Sequence, residues 1–375
     1  MDPGTGPGAT YRKGGEVHNR RAILGTGLIG AAGLALPGCA TTAARTATAR
    51  PCLPRVNVAA NRVIRTVAGL RPYRPGGFRV EREALGDKAL VHNYGHGGAG
   101  ITLSWGTSRL AVDLGLPGHQ GPVAVIGAGI VGLTTARLVQ EAGYPVTIYA
   151  AALPPQTTSN IAGGQWQAYA HYDREAVTPA WRAQNAAALE YSFRRFQIMV
   201  GDDTGVHWVP TYVEGDARPD PYRPDNRALG PGEHPFPVDR LARYTTMYVE
   251  TGRFLRELAE DIRIAGGRIA VRRFASPAEV MTLPERLVFN CTGLGAGELF
   301  GDTSLYPIRG QLAILIPQPE INYAYNGSDG YMFPRPDGIL LGGTYERHVA
   351  DATPQAEDIA RIIASHQRLF GGFRC

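Results

Sequence analysis

The apolar positions of this chain fall into three spacings, and each predicts a different element. Unbroken apolar runs at residues 123–126, 146–149 and 287–289 predict short buried strands. Alternation at residues 62–67 predicts a half-buried strand closed by a turn over residues 68–72, and residues 90–93, 306–316 and 338–341 read as further strands. Helical spacing covers residues 101 to about 114, 130 to about 142, 178–200 and 251–265, with a last helix starting at Thr353-Pro354. Gly143 stops the second of these. Thr251 caps the fourth, whose Leu255, Leu258 and Ile262 share one face before Gly266 ends it. Ile359, Ile362, Ile363 and Phe370 are core positions of the last. Residues 214–237, rich in Pro, Gly, Asp and Arg, carry no period and predict a long solvated loop, and residues 116–122 form a breaker-rich linker.

The strand at 123–126 runs directly into Gly127-Ala128-Gly129-Ile-Val-Gly132, then a helix, then the strand at 146–149. Strand, G-x-G-x-x-G turn, helix and second strand in register predict a dinucleotide-binding βαβ unit, with Gly127, Ala128, Gly129 and Gly132 at the cofactor. The first glycine allows the turn, the second lets backbone approach a pyrophosphate, and the third lets helix pack close to strand. The pyrophosphate would sit on the helix N-terminus, where unpaired N–H groups and the dipole favour negative charge. One part is missing: after Tyr149 come Ala150, Ala151 and Ala152, where a carboxylate for the adenosine ribose is expected. A second glycine-rich loop, Tyr94 to Gly100, feeds the helix at 101 and offers another positive helix end.

The chain has 375 residues, 44% hydrophobic and 19% charged, enough for a large core and a two-domain organisation. Its formal net charge of +5 comes from scattered arginines, with no basic block interleaved with aromatics, so nucleic acid is not expected as a partner. The four cysteines, Cys39, Cys52, Cys291 and Cys375, show no C-x-x-C spacing, which supports neither a metal site nor a disulfide framework. At the N-terminus, Asn19-Arg20-Arg21 precedes an apolar run to Leu36, and Leu36-Pro37-Gly38-Cys39 resembles a lipobox. Residues 22–36 are too few to span a bilayer, so a twin-arginine export signal is expected, with periplasmic or membrane-anchored placement and a lipid on Cys39.

Several separate motifs carry a resemblance. Gly69-Leu-Arg71-Pro72, His92-Asn-Tyr-Gly-His-Gly-Gly-Ala-Gly100 with residues 101–106, Thr157-Thr-Ser-Asn-Ile-Ala-Gly-Gly164 with Trp166, Asn290-Cys-Thr-Gly293, Arg309-Gly-Gln311, Tyr331-Met-Phe-Pro334 and Gly342-Gly-Thr-Tyr345 resemble the D-amino acid oxidase family. The likeness runs from about Arg62 to the C-terminus, in a different order: the Arg-Pro and His-Asn-Tyr-Gly blocks that close family members come first here. A circular permutation is the expectation, with the old termini joined through residues 117–122.

The resemblance implies FAD as cofactor and an α/β fold with a Rossmann-like FAD-binding domain and a second, mixed-sheet substrate domain. Residues 1–39 would be the export signal and 40–60 a linker. Residues 61–170, 252–300 and 345–375 would form the FAD-binding domain, and 171–251 with 301–344 the substrate domain. By the same resemblance Arg71 holds the substrate carboxylate, Tyr331 adds a third hydrogen bond, the Gly98 carbonyl accepts from the amine, and Tyr345 and Gln167 line the pocket. Thr157, Thr158, Ser159, Gly164 and Gln165 would contact the cofactor, Phe274 would lie near the adenine, and Gly97, Gly98, Ile101 and Thr102 near the flavin ring. Two departures stand out. Gly327 occupies the lid position where many members carry tyrosine, leaving Tyr323, Tyr325 or a more open entrance. Tyr345 favours neutral side chains, while Arg347 beside it keeps an acidic substrate open.

The implied reaction is oxidation of a D-amino acid to an imino acid, with oxygen reduced to hydrogen peroxide and the imine hydrolysed to a 2-oxo acid and ammonia. Competing readings are a glycine, sarcosine or D-aspartate oxidase, a dehydrogenase with a respiratory acceptor, or a flavin-binding protein without turnover.

Overall fold

The computed structural model describes residues 52–328 and 330–374. The twin-arginine pattern, Cys39 and Cys375 lie outside the described residues. Cys52, expected to belong to no disulfide framework, is disulfide-bonded, and among the described residues Cys291 is free and buried.

Two sheets organise the described residues. The smaller has six strands in the order Arg79–Leu85, Lys88–Tyr94, Leu287–Asn290, Val123–Ile126, Val146–Ala150, Arg268–Val271. All neighbours pair parallel except the Arg79–Leu85 hairpin edge. Every residue of Val123–Ile126 and Leu287–Asn290 is buried, which is why both read as unbroken apolar runs. Gly100–Gly115, Ile130–Glu141 and Thr251–Ile264 contribute Leu103, Leu133, Leu255, Leu258 and Ile262 to the core beside this sheet. Thr251 is the first helical residue and not the cap: its hydroxyl donates to the Asn160 carbonyl at 3.0 Å.

The larger sheet has nine strands in the order Val63–Tyr73, Tyr306–Leu315, Ile339–Gly342, Gly330–Phe333, Ala324–Gly327, Val206–Glu214, Leu241–Val249, Arg227–Leu229, with Glu346–Arg347 paired onto Tyr306–Leu315. Val63–Tyr73 runs straight through the turn expected at 68–72. It is an edge strand whose ladder is with Tyr306–Leu315, and Pro72 stands opposite Pro307, where neither residue has an N–H to give. The last helix, Ala356–Gly371, starts later than Thr353 because the Thr353 carbonyl accepts from Arg309 Nη1 at 3.4 Å. Its Ile359, Ile362 and Phe370 pack with Leu315, Ile339 and Leu341. Arg227–Leu229 is a short strand inside the loop expected at 214–237.

The two-domain partition therefore shifts. Val63–Tyr73 and Ala356–Gly371, assigned from the sequence to the FAD-binding domain, belong to the large sheet. Pro179–Ile198, assigned to the substrate domain, packs instead on Gly100–Gly115, where the Gly106 N–H donates to Ser192 Oγ at 2.9 Å. Chain order misled the partition because the strands of the two sheets interleave along the sequence, 63–73, 206–249 and 306–347 in the larger against 79–150 and 268–290 in the smaller.

Candidate active site

A cavity of about 1370 Å³ is lined from both sheets. On the side of the smaller sheet its wall includes Gly127, Ala128 and Gly129 at the start of the Ile130–Glu141 helix. Gly132 lies one turn further in, outside the cavity lining. A Cβ there would sit 2.0 Å from the Gly127 carbonyl oxygen, so this glycine sets how closely helix meets strand. Thr157, Thr158, Ser159, Gly164 and Gln165 line the same wall. Ser159 Oγ accepts from the Ile130 N–H at 3.0 Å, tying this segment to the helix end. Gln165 is fixed at both ends, donating to the Tyr244 hydroxyl at 3.3 Å and accepting from Asn326 at 3.4 Å. Phe274 closes the far end against the Tyr149 ring.

Gly97, Gly98 and Ile101 also line the cavity, at the N-terminus of Gly100–Gly115. Gly98 is held by its N–H, which donates to the Ala170 carbonyl at 3.0 Å. Thr102 differs from the expectation. It is buried and does not line the cavity, and its hydroxyl accepts from the Gln167 N–H at 2.9 Å. Its work is to hold Gln167, which does line the cavity.

Beneath this loop, His96 is fully buried with Nε2 against Thr107 Oγ1 at 2.9 Å, and burial pushes its pKa down to about 3. Burial likewise lowers His171 to about 4.

On the side of the larger sheet, Arg71 and Tyr331 meet. Arg71 Nη1 is buried and has no hydrogen-bond partner among the described residues, a donor left for a ligand. Burial pushes the Tyr331 phenol up, against the lowering effect of the adjacent Arg71 guanidinium. Tyr345 places its ring centroid 6.0 Å from the Arg71 Cζ. Arg347 is engaged elsewhere, over the rings of Tyr73 at 5.2 Å and Tyr345 at 5.8 Å and 3.7 Å from Asp173, and does not line the cavity.

Neither Tyr323 nor Tyr325 lines the cavity, although the Tyr325 hydroxyl lies against Gly327, which does. The buried Tyr323 hydroxyl donates to the Pro54 carbonyl at 2.8 Å, and Tyr325 stacks on Phe236 at 4.9 Å. The sequence reading missed Tyr169, which lines the cavity and is 63% exposed. It also missed Gly310, which lies directly against Arg71. Arg309-Gly-Gln311 stands out as a motif in the sequence, but only the pairing of Gly310 with Gly69, which brings Arg71 across it, shows what its glycine is for.

Glu346 supports the turn that carries Tyr345. It accepts from Gln311 Nε2 at 2.9 Å, from Arg309 Nε at 3.0 Å and from the Thr344 hydroxyl. Desolvation alone would raise this carboxyl, but the donors prevail and hold it near 2.

The chain belongs to the FAD dependent oxidoreductase family, which it matches over residues 8–114 and 122–374. It is 32% identical to a D-amino-acid oxidase from Streptomyces coelicolor over 252 residues, 65% of this chain and 76% of that one. It is 28% identical to a D-amino acid oxidase from Dugesia ryukyuensis over 265 residues, 67% of this chain and 78% of that one. Among solved structures, iminodiacetate oxidase from Chelativorans sp. BNC1 shares the fold with a TM-score of 0.51 at 16% identity, over 67% of this chain and 79% of that one. The cavity suits FAD: a glycine turn at a helix N-terminus lines it, and so does Arg71, whose buried Nη1 has no partner among the described residues.

Proposed function

We propose that the chain oxidises D-amino acids with neutral side chains. The observation that carries this reading is the buried, unpartnered Nη1 of Arg71, set beside the Tyr331 phenol in the same cavity as the glycine cradle. A guanidinium offers two parallel donors to a carboxylate, which fixes the plane of the substrate as well as its charge. The Tyr331 hydroxyl donates a third hydrogen bond to that carboxylate, and the Gly98 carbonyl accepts from the amine. With carboxylate and amine both held, the two enantiomers present opposite faces of Cα to the cofactor, and one of them drives its side chain into the wall. Bound FAD supplies the acceptor for the Cα hydride, and oxygen takes the electron pair on as hydrogen peroxide. The amine loses a proton as the imine forms, and water converts the imine to a 2-oxo acid and ammonia. Arg347 pairs with Asp173 and packs over two rings outside the cavity lining, so the cation beside Tyr345 is not part of the cavity wall, which supports the neutral preference.

The test is peroxide release from the purified chain with D-alanine, D-aspartate and glycine, each with and without oxygen. The proposal expects D-alanine to be turned over fastest and peroxide to match ammonia. Faster turnover of glycine or D-aspartate, or turnover that needs an added acceptor in place of oxygen, contradicts it.

We also propose that the chain is circularly permuted and exported. Residues 117–122, where the old termini would be joined, are mostly exposed. The family match breaks at the same place, between residues 114 and 122. The alignments of 252 and 265 residues are about as long as the segment after that break alone. Export rests on the twin-arginine pattern and is tested by locating the full chain, and its Arg20→Lys/Arg21→Lys variant, in cell fractions.

A further inference from the structure

We propose that Arg272 and Arg273 hold the adenosine ribose and its neighbouring phosphate, replacing the carboxylate that this chain lacks. Dinucleotide folds commonly end the second strand with an acid that accepts from the ribose hydroxyls. Here Val146–Ala150 runs into Ala151 and Ala152, whose methyl groups neither donate nor accept. Both alanines are exposed and line the cavity.

The adjacent strand supplies what is missing. Arg268–Val271 pairs in parallel with Val146–Ala150, setting Val271 opposite Ala150, and the Arg272 N–H donates to the Ala150 carbonyl at 2.9 Å. The chain therefore delivers Arg272 and Arg273 to the same end of the sheet as Ala151 and Ala152, and both arginines line the cavity. Arg272 is already oriented: its Nη2 donates to Thr282 Oγ1 at 3.1 Å, and its Cζ lies 4.5 Å from the Phe274 ring centroid. That leaves its remaining N–H groups for a ligand. Arg273 is exposed and has no ion pair or hydrogen bond among the described residues. The cavity lining contains one acid, Glu298, on the short Gly295–Phe300 helix.

This exchange reverses the hydrogen bonding at the ribose. A carboxylate accepts hydrogen bonds from the ribose hydroxyls and repels added phosphate, whereas guanidinium groups donate to ribose and phosphate oxygens and attract further negative charge. The inference concerns the adenosine end of FAD and does not depend on the identity of the amino acid substrate.

The test titrates FAD into the full-length apoprotein and follows quenching of flavin fluorescence, with AMP and adenosine 2′,5′-bisphosphate as competitors. Wild-type protein should be competed at least about fivefold better by the bisphosphate than by AMP. Arg273→Ala, which removes no ion pair or hydrogen bond among the described residues, and Arg272→Lys should each raise the Kd for FAD by about tenfold and abolish that preference. Binding of FMN, which has no adenosine, should not change. The proposal is overturned if AMP competes as well as the bisphosphate, if FAD affinity is unchanged in both variants, if FMN affinity falls equally, or if Glu298→Gln alone causes the loss.

Discussion

The Arg71 guanidinium lies against the α-carbon of Gly310 on the neighbouring strand, where a Cβ would stand 2.4 Å from both of its terminal nitrogens. The side chain can lie along the sheet only because that position has no side chain. Gly310→Ala should push the guanidinium off its site and raise KM for D-alanine by at least about tenfold, because a charge-assisted pair is sensitive to small displacements. FAD content should stay unchanged, since Gly310 is far in sequence and role from the glycine cradle. Steady-state kinetics with a flavin absorbance ratio check both together.

Removing the guanidinium should cost more. Arg71→Lys keeps the charge but loses the planar fork, so KM should rise by about 10- to 100-fold, and Arg71→Ala should weaken binding further. Unchanged apparent affinity in Arg71→Ala would remove Arg71 from the site.

Tyr331 lies over Gly342, where a Cβ would meet its ring at 2.2 Å, and its hydroxyl faces Arg71. Tyr331→Phe deletes one hydrogen bond to a charged partner and should raise KM by roughly tenfold, with a smaller effect on kcat. Gly342→Ala should reproduce the KM effect by moving the ring, and comparing the two variants separates hydroxyl from position.

Glu346 gathers donors from Arg309, Gln311 and Thr344 beneath Tyr345. Glu346→Gln leaves the mostly buried Arg309 with weaker partners, the Asp351 and Thr353 carbonyls at 3.4 Å and the exposed Asp351 carboxylate at 3.7 Å. The expected loss is about 1–3 kcal/mol of stability, read by urea unfolding.

His96 and His171 are both held neutral by burial, at about 3 and about 4. In the unfolded chain each titrates near 6.5, so below that pH the unfolded state binds more protons and stability falls. Stability should be fully present above about pH 6.5 and decline by about 1 kcal/mol per histidine for each pH unit below it. Because Gly97 and Gly98 follow His96, FAD should be released over the same range. Thermal unfolding with excess FAD at pH 7.5, 6 and 5 checks this, and His96→Gln should flatten the profile.

The cofactor half was legible because its parallel strands are buried on both faces and its glycines serve local geometry. Val123–Ile126 and Ile130–Glu141 fall within a residue or two of their expected bounds. The large sheet was less legible. Val206–Glu214 and Leu241–Val249 pair with each other across a long irregular loop, and Pro210 breaks the local strand signal. Tyr169 and Arg272 were not legible as site residues, because only tertiary packing brings them to the cavity wall. Thr102 was placed at the cofactor because its helix is there, but a residue buried on that helix meets Gln167 instead.

The most direct test is the visible spectrum of the purified protein without oxygen, before and after addition of D-alanine, D-methionine and their L forms. The account predicts a flavin band that bleaches with the D forms alone. A flavin band that persists with every D-amino acid, or bleaches equally with L forms, would contradict it.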